Sequence, residues 1–340
     1  MRKQEDFLYI GVFCGVEMAV ISVQDLRKSF SIRESAKGFV ASIRSLLSPK
    51  YKETVAVESL SLSIEKGELV GFIGPNGAGK STTLKMLTGI MYPTSGNATV
   101  LGITPWRDRK KLAFRIGTVF GQRSQLWTHL PCQDTFDLFA AIYNIPEKTY
   151  RTRLRDLVKQ FDIEEYLNVP VRKLSLGERM RAELVAALLH DPEVLFLDEP
   201  SIGLDIIAKH KLREHIRAIN KRGVTIVLTS HDMADIEAVC SRVIVINHGR
   251  LLFDASIEQL RKRFARKKVV RVFFDGEQTF KSMRGVTVLD RSAQQVRLAV
   301  DSKLVDIQHV LAQLTKLYRI ADIEVSDPPI EEIIEVLYKK

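Results

Sequence analysis

The chain has 340 residues, 45% hydrophobic and 27% charged, with a formal net charge of +10. That length holds one large domain and a smaller one, or two modest ones, with the apolar content of an ordinary globular protein. Cys14, Cys132 and Cys240 stand far apart without metal-ligand spacing, which excludes a disulfide framework and reads as free or buried thiols in a reducing compartment. No stretch reaches the roughly eighteen apolar residues that a membrane-spanning helix needs.

Residues 7–21 are fairly apolar, but Glu17 and small residues interrupt them, unlike the clean core of a signal peptide. The fold is expected to begin near Met18, with residues 1–17 an upstream extension compatible with disorder. Residues 20–30 and 56–64 read as β-segments. Between them, residues 31–54 read as a basic, helix-tolerant insertion with Phe39, Val40, Ile43, Leu46 and Leu47 on an amphipathic face. It would pack on a partner or cap the sheet.

An apolar strand over 68–73 runs into Gly74-Pro75-Asn76-Gly77-Ala78-Gly79-Lys80-Ser81-Thr82, and residues 83–87 read as a helix. A β-rich piece follows at 98–102 and 116–120. From 130 to 174 the spacing turns helical, with Phe136, Ala140 and Ala141 and then Leu154, Leu157, Val158 and Phe161 three or four apart. Continuous apolar runs at 194–197, 224–228 and 243–246 read as parallel strands buried on both faces. The basic runs Arg261-Lys262-Arg263 and Arg266-Lys267-Lys268 come next. They would meet anionic lipid or nucleic acid, or form a solvated linker, which is the preferred reading. A small α+β unit closes the chain: strands at 269–274, 286–289 and 296–300, a helix at 305–317, a strand near Ile323 and a helix at 330–338. There is no internal repeat and no second glycine-rich loop.

The glycine-rich loop fits G-x-x-x-x-G-K-[ST] in the strand–loop–helix setting that this phosphate-binding motif requires. Its backbone N–H groups and the following helix N-terminus favour phosphate oxygens. Lys80 is expected to reach the β- and γ-phosphates, and the Ser81 hydroxyl to ligate Mg²⁺. Further on, the run 194–197 ends in Asp198-Glu199. Asp198 would hold Mg²⁺ through water, and Glu199 would polarise the attacking water as general base.

With these residues in place, the chain resembles the ATPase subunit of ATP-binding cassette (ABC) transporters over about residues 20–260. Leu174-Ser175-Leu176-Gly177-Glu178 is similar to that family's L-S-G-G-Q signature, departing from it at Leu176 and Glu178. The resemblance implies that Ser175, Gly177 and Glu178 complete the phosphate loop of a second subunit. It places Gln122 as the Q-loop glutamine that contacts Mg²⁺ and the lytic water, with Gln125 as a rival. It makes Ser201-Ile202-Gly203-Leu204-Asp205 the loop that crosses the dimer interface, and His231 in Thr229-Ser230-His231-Asp232 the switch histidine. It gives Phe30 the adenine-stacking position, with Tyr51 as the alternative.

The implied fold is α/β, a P-loop NTPase cassette of the ABC type: a mixed β core with an inserted α-helical subdomain over about 123–176, plus a small C-terminal α+β domain. The domains expected are 18–260 and 261–340. The implied activity is ATP hydrolysis with Mg²⁺, energising export through a separate integral membrane permease that a groove near Gln122 and residues 126–131 would grip. The separate-chain ATPases of bacterial exporters are the most similar group. The partners implied are that permease and a second ATPase subunit, identical or paralogous. No nucleic acid is expected, and the location implied is the cytoplasmic face of the membrane. The rival reading is a soluble ABC ATPase acting on ribosomes or nucleic acid, to which the basic charge lends support.

Overall fold

The computed structural model describes residues 19–33, 51–121, 124–264, 267–276, 278, 280–281, 283–301, 304–328 and 330–338. The expected extension 1–17, residues 34–50 of the expected insertion, and Gln122 lie outside the described residues.

Among the described residues, nine strands form one sheet in the order β4-β1-β2-β9-β8-β3-β7-β6-β5. They are β1 (Ile21–Arg33), β2 (Tyr51–Ile64), β3 (Leu69–Ile73), β4 (Ser95–Val100), β5 (Ile116–Phe120), β6 (Val194–Asp198), β7 (Thr225–Ser230), β8 (Arg242–Asn247) and β9 (Arg250–Ser256). One flank, β4-β1-β2, is antiparallel. In the centre, β3 runs parallel to β7 and β8, and β6 runs parallel to β7 and β5. The central strands are the continuous apolar runs of the sequence, and β3 and β7 are buried at every position.

Successive side chains of a strand point to opposite faces, and here they feed two cores. Leu69, Ile73, Leu195 and Leu197 join the cluster under the helical part, whereas Val70, Phe72, Val194 and Phe196 join the cluster facing the antiparallel flank. Helices α1 (Lys80–Leu87) and α2 (Arg109–Ala113) cover the second face. The first face carries α3 (Cys132–Ile142), α4 (Glu147–Phe161), α5 (Leu176–Leu188), α6 (Ile206–Asn220) and α7 (Met233–Val239). At the end of α5, the His190 ring stacks on Tyr143 with centroids 4.0 Å apart, joining the helical segment to the sheet.

The C-terminal unit is an antiparallel sheet in the order β11-β12-β10-β13, from β10 (Lys267–Phe274), β11 (Val286–Arg291), β12 (Gln295–Asp301) and β13 (Ile320–Ser326). Helix α9 (Ile307–Leu317) packs Val310 and Leu314 onto the face carrying Val270, Val272, Leu298 and Val300.

The described residues differ from the sequence reading at three places. At both ends of the helix-tolerant insertion 31–54 the strands continue: β1 runs on to Arg33 and pairs it with Tyr51 of β2. The described part of the basic stretch is secondary structure and not linker: Arg261, Lys262 and Arg263 lie in α8 (Ile257–Phe264), and Lys267 and Lys268 begin β10. Among the described side chains, Arg261 pairs with Glu237 and Asp327, Lys262 with Glu258, and Lys268 with Asp327. The expected division after Leu260 therefore falls inside a helix.

The last helix, α10 (Ile330–Tyr338), leaves its own unit and packs against α7 and α8. Its Ile330, Ile333 and Ile334, at helical i, i+3, i+4 spacing, are buried in the same cluster as Leu260 and Ile236. Truncating such a side chain costs its transfer free energy and leaves a cavity. Ile334→Ala is expected to destabilise the protein by about 2–4 kcal/mol in urea unfolding, and because the cluster continues under the sheet, the loss should register in the transition of the large unit.

Candidate active site

The parallel strands β3, β7, β6 and β5 end at one edge of the sheet, level with one another. Ile73 lies beside Ser230, Thr229 beside Asp198, and Asp198 beside Phe120. The loops that leave these four strand ends carry Gly74–Thr82, His231, Glu199 and Gly121. Open α/β sheets bind ligands at the carboxyl ends of their strands, where loop residues converge.

Gly79 precedes α1 in the left-handed region, with φ 102°, and a Cβ there would stand 2.5 Å from the Ala56 carbonyl oxygen, so only glycine fits. Helix α1 has no side-chain cap, which leaves its first N–H groups available to an anion. Lys80 is buried and donates from Nζ to the carbonyl oxygens of Gly74 at 2.6 Å and Pro75 at 3.4 Å. Its ammonium is 3.8 Å from Glu199 Oε1. Burial pushes Lys80 below its ordinary pKa, and the charges of Glu199 and Asp198 oppose that shift.

The Ser81 hydroxyl donates to Asp198 Oδ1 at 3.1 Å. A hydroxyl and a carboxylate are the hard oxygen donors that suit Mg²⁺, which completes its shell with phosphate oxygens and water. No cluster of three or more acidic, histidine or cysteine ligands occurs among the described residues, so any cation here would need such outside oxygens.

Thr229 was not singled out from the sequence, yet it organises the centre. Its hydroxyl donates to Asp198 Oδ1 at 2.6 Å and accepts the Glu199 N–H at 3.0 Å. Glu199 itself holds φ at 53°, an unusual value for a side chain of its size. Its Oε2 accepts from His231 Nδ1 at 2.6 Å and from the His231 N–H at 3.2 Å. A carboxylate only accepts, so Nδ1 carries the proton. Lys80, Ser81, Asp198, Glu199 and His231 thus form one chain of contacts.

Ser175, Gly177 and Glu178 lie elsewhere in the chain's own structure. Ser175 caps α5 in a reciprocal box: its Oγ accepts the Glu178 N–H at 3.3 Å, and Glu178 Oε2 accepts the Ser175 N–H at 2.8 Å. Burial resists ionisation of Glu178, but hydrogen bonds from Ser175 and Tyr166 outweigh it and lower the pKa. This box accepts glutamate or glutamine equally, which accounts for Glu178. Leu176 meets Gly203, and Gly177 faces Ala208, so the signature turn packs on the segment that holds Asp205. The Asp205 carboxylate caps α6 through the Ala208 N–H at 2.8 Å.

Phe30 stands on β1, 36% exposed, opposite Thr54, with the Lys28 ammonium 5.1 Å above its ring. Thr54 is two residues from Ala56, which Gly79 abuts; Tyr51 is five residues from it and more exposed at 62%. Gln125, the rival for the Q-loop position, is committed to α5: its side-chain amide donates to the Glu183 carbonyl oxygen at 3.2 Å. The sequence signal for Glu183 was a lone carboxylate within the apolar run of α5.

A family model described as "ABC transporter" matches residues 57–202. The chain is 35% identical over 211 residues to the ABC transporter ATP-binding protein NatA of Bacillus subtilis, covering 62% of this chain and 86% of that protein. It is 34% identical to the Nod factor export ATP-binding protein I of Ralstonia nicotianae, covering 67% of this chain and 71% of that one. A solved structure described as a dimeric, post-hydrolysis state of an ATP-binding cassette bound to ADP and Pi shares the fold, with a TM-score of 0.58 and 22% identity, covering 70% of this chain and 98% of that one.

Gly121 donates its N–H to the Asp198 carbonyl at 2.8 Å, and a Cβ there would lie 2.4 Å from the Glu199 carbonyl oxygen. Gly121→Ala must displace the backbone of Glu199. ATP turnover is expected to fall by about 10²-fold, the scale of a misplaced reacting group, while binding of ATP, read by isothermal calorimetry, persists.

Proposed function

The chain belongs to the ABC transporter family of ATP-binding proteins, and we propose that the edge formed by β3, β7, β6 and β5 is its ATP site, with the roles that follow. As a member of that family the protein is the ATP-binding and ATP-hydrolysing subunit of a transporter. The observation that carries the site is the continuous contact of Lys80, Ser81, Asp198, Glu199 and His231 at one sheet edge.

The N–H groups of Gly74–Thr82 and the N-terminus of α1 cradle the phosphates, and Phe30 stacks on the adenine. Lys80 exchanges its carbonyl partners for β- and γ-phosphate oxygens and gives up its contact with Glu199. Ser81 and, through water, Asp198 would hold Mg²⁺, with Gln122 a further ligand, and the cation would supply neutralisation of phosphate charge. Thr229 keeps Asp198 and the Glu199 backbone in register. Glu199 accepts the proton of the attacking water, and His231 orients the Glu199 carboxylate through Nδ1. Phosphoryl transfer needs little covalent chemistry from the protein, so these residues act mostly by position and charge.

Ser175, Gly177, Glu178 and Asp205 serve the site of a second subunit. The capping bond uses a lone pair of the Ser175 oxygen, and the hydroxyl proton, which helps to lower the Glu178 pKa, turns from that carboxylate to a phosphate of the second subunit's nucleotide. The dimeric state of the cassette that shares this fold supports this arrangement. A separate permease carries the cargo, a reading supported by the relatives named as transporter ATP-binding proteins; no helix among the described residues is long and apolar enough to cross a membrane. The subunit sits on the cytoplasmic membrane face through that permease. Export is the direction proposed, supported by the relative named for Nod factor export.

Lys80→Ala is expected to abolish ATP binding in calorimetry. Glu199→Gln is expected to lower kcat by about 10²–10⁴-fold and to accumulate an ATP-bound dimer in size-exclusion chromatography. Wild-type turnover in Glu199→Gln would remove the general-base role. Affinity capture from detergent-solubilised membranes is expected to retain a polytopic membrane protein; ribosomal capture in its place would overturn the transporter role.

A further inference from the structure

Glu183 is only 4% exposed, in the middle of α5, among Ala182, Leu184, Val185 and Ala186 of the main core. A buried carboxylate is costly unless its oxygens are satisfied. The groups that satisfy this one all come from a single segment, the one that follows Gly121. The Ser124 hydroxyl donates to Glu183 Oε1, as does the Gln125 N–H at 3.1 Å, and the Leu126 N–H adds a further bond. The Gln125 side chain then closes back on the Glu183 carbonyl.

The same segment is tied to the signature element a second time. The N–H of Arg172 donates to the Thr128 carbonyl at 2.9 Å, and that of Val171 donates to the Leu130 carbonyl at 3.0 Å. Residues 124–130 are therefore lashed on both sides of Ser175: just before it in sequence, and at Glu183, eight residues or about 12 Å along the helix. Before these ties, Gly121 abuts the backbone of Asp198 and Glu199. Of these ties to the signature element among the described residues, those at Glu183 are the ones that side chains make.

We propose that Glu183 is a positioning residue that clamps Ser124–Trp127 to the signature helix, so that this segment follows α5 when Ser175 and Gly177 engage nucleotide. The clamp rests on the reading above that the signature turn contacts ATP in a dimer. It explains why a charged group stands where packing alone would select an apolar one. A leucine would fill the volume but leave the Gln125 N–H without the acceptor it has here, and would reduce the Ser124 hydroxyl and the Leu126 N–H to the long bonds they make with each other's residue, at 3.3 and 3.2 Å.

The chain has two tryptophans, and one of them, Trp127, is the next residue of the clamped segment and 51% exposed. In a Glu199→Gln, Trp106→Phe background, Trp127 emission is recorded as MgATP is added, with MgATP affinity followed by calorimetry and dimer formation by size-exclusion chromatography. With Glu183 intact, MgATP is expected to shift the emission. Glu183→Ala is expected to lose at least about two-thirds of that shift while binding MgATP within about threefold of the parent and still dimerising. Ser124→Ala removes one donor at the far side of the clamp and leaves the helix untouched, so it reads the same tie if Glu183→Ala fails to fold; about half the shift is expected to remain. A purely structural Glu183 would lower the melting temperature and leave the spectral amplitude of the bound state unchanged. An undiminished shift in either variant, or no shift in the parent despite bound MgATP and a dimer, overturns the clamp alone. Absence of MgATP binding in the parent overturns the site reading and the clamp with it.

Discussion

The buried hydroxyl of Thr229 is the point on which the centre turns. A hydroxyl offers one proton and two lone pairs, and here the proton goes to Asp198 while a lone pair takes the Glu199 N–H. Adjacent acidic residues would otherwise repel and splay. Asp198 is instead pinned toward Ser81, and Glu199 is turned, with its left-handed backbone, toward Lys80 and His231. One strand end therefore aims two carboxylates at two tasks, and the strain is held by β5 and β7 on either side. Everything else at this edge, from the glycine loop to the Gly121 turn, is placed relative to that pair.

Much of this was legible in the sequence because it is local. Continuous apolar runs announce strands covered on both faces, and a glycine-rich loop between strand and helix fixes its own geometry. The order of Lys80, Asp198, Glu199 and His231 along the chain was enough to bring them together once the strands were parallel. What escaped is contact between distant segments. Thr229 stands just past the apolar run 224–228, and nothing in its neighbourhood says that its hydroxyl crosses to Asp198. Glu183 goes unremarked in the sequence, because periodicity reports how one element is covered and not by what. The basic stretch around Arg261 read as a linker because its acidic partners, Glu237 and Asp327, lie far away in sequence. The hairpin of β1 and β2 outran its expected length because strands can be extended by pairing alone, without an apolar face.

The signature turn shows how a departure from a family pattern can be neutral. Glu178 in place of glutamine keeps the capping box, and Leu176 uses its bulk against Gly203. The exchange ties the turn to the loop before α6, so the two surfaces assigned to a second subunit, the turn and the Asp205 loop, form one piece. The Lys209–Asp232 pair, at 2.5 Å, extends that piece to the residue after His231.

The return of α10 to the large unit also sets a schedule for biosynthesis. Proteins emerge from the ribosome N-terminal end first, and units usually fold as their sequence appears. Here the apolar cover over Leu260 and Ile236 lies in Ile330, Ile333 and Ile334, behind the whole C-terminal sheet. The nascent nucleotide-binding unit carries that uncovered patch while residues 267–326 are being made, and holds it open to chaperones. A chain broken off anywhere in that span leaves Leu260 and Ile236 without this cover.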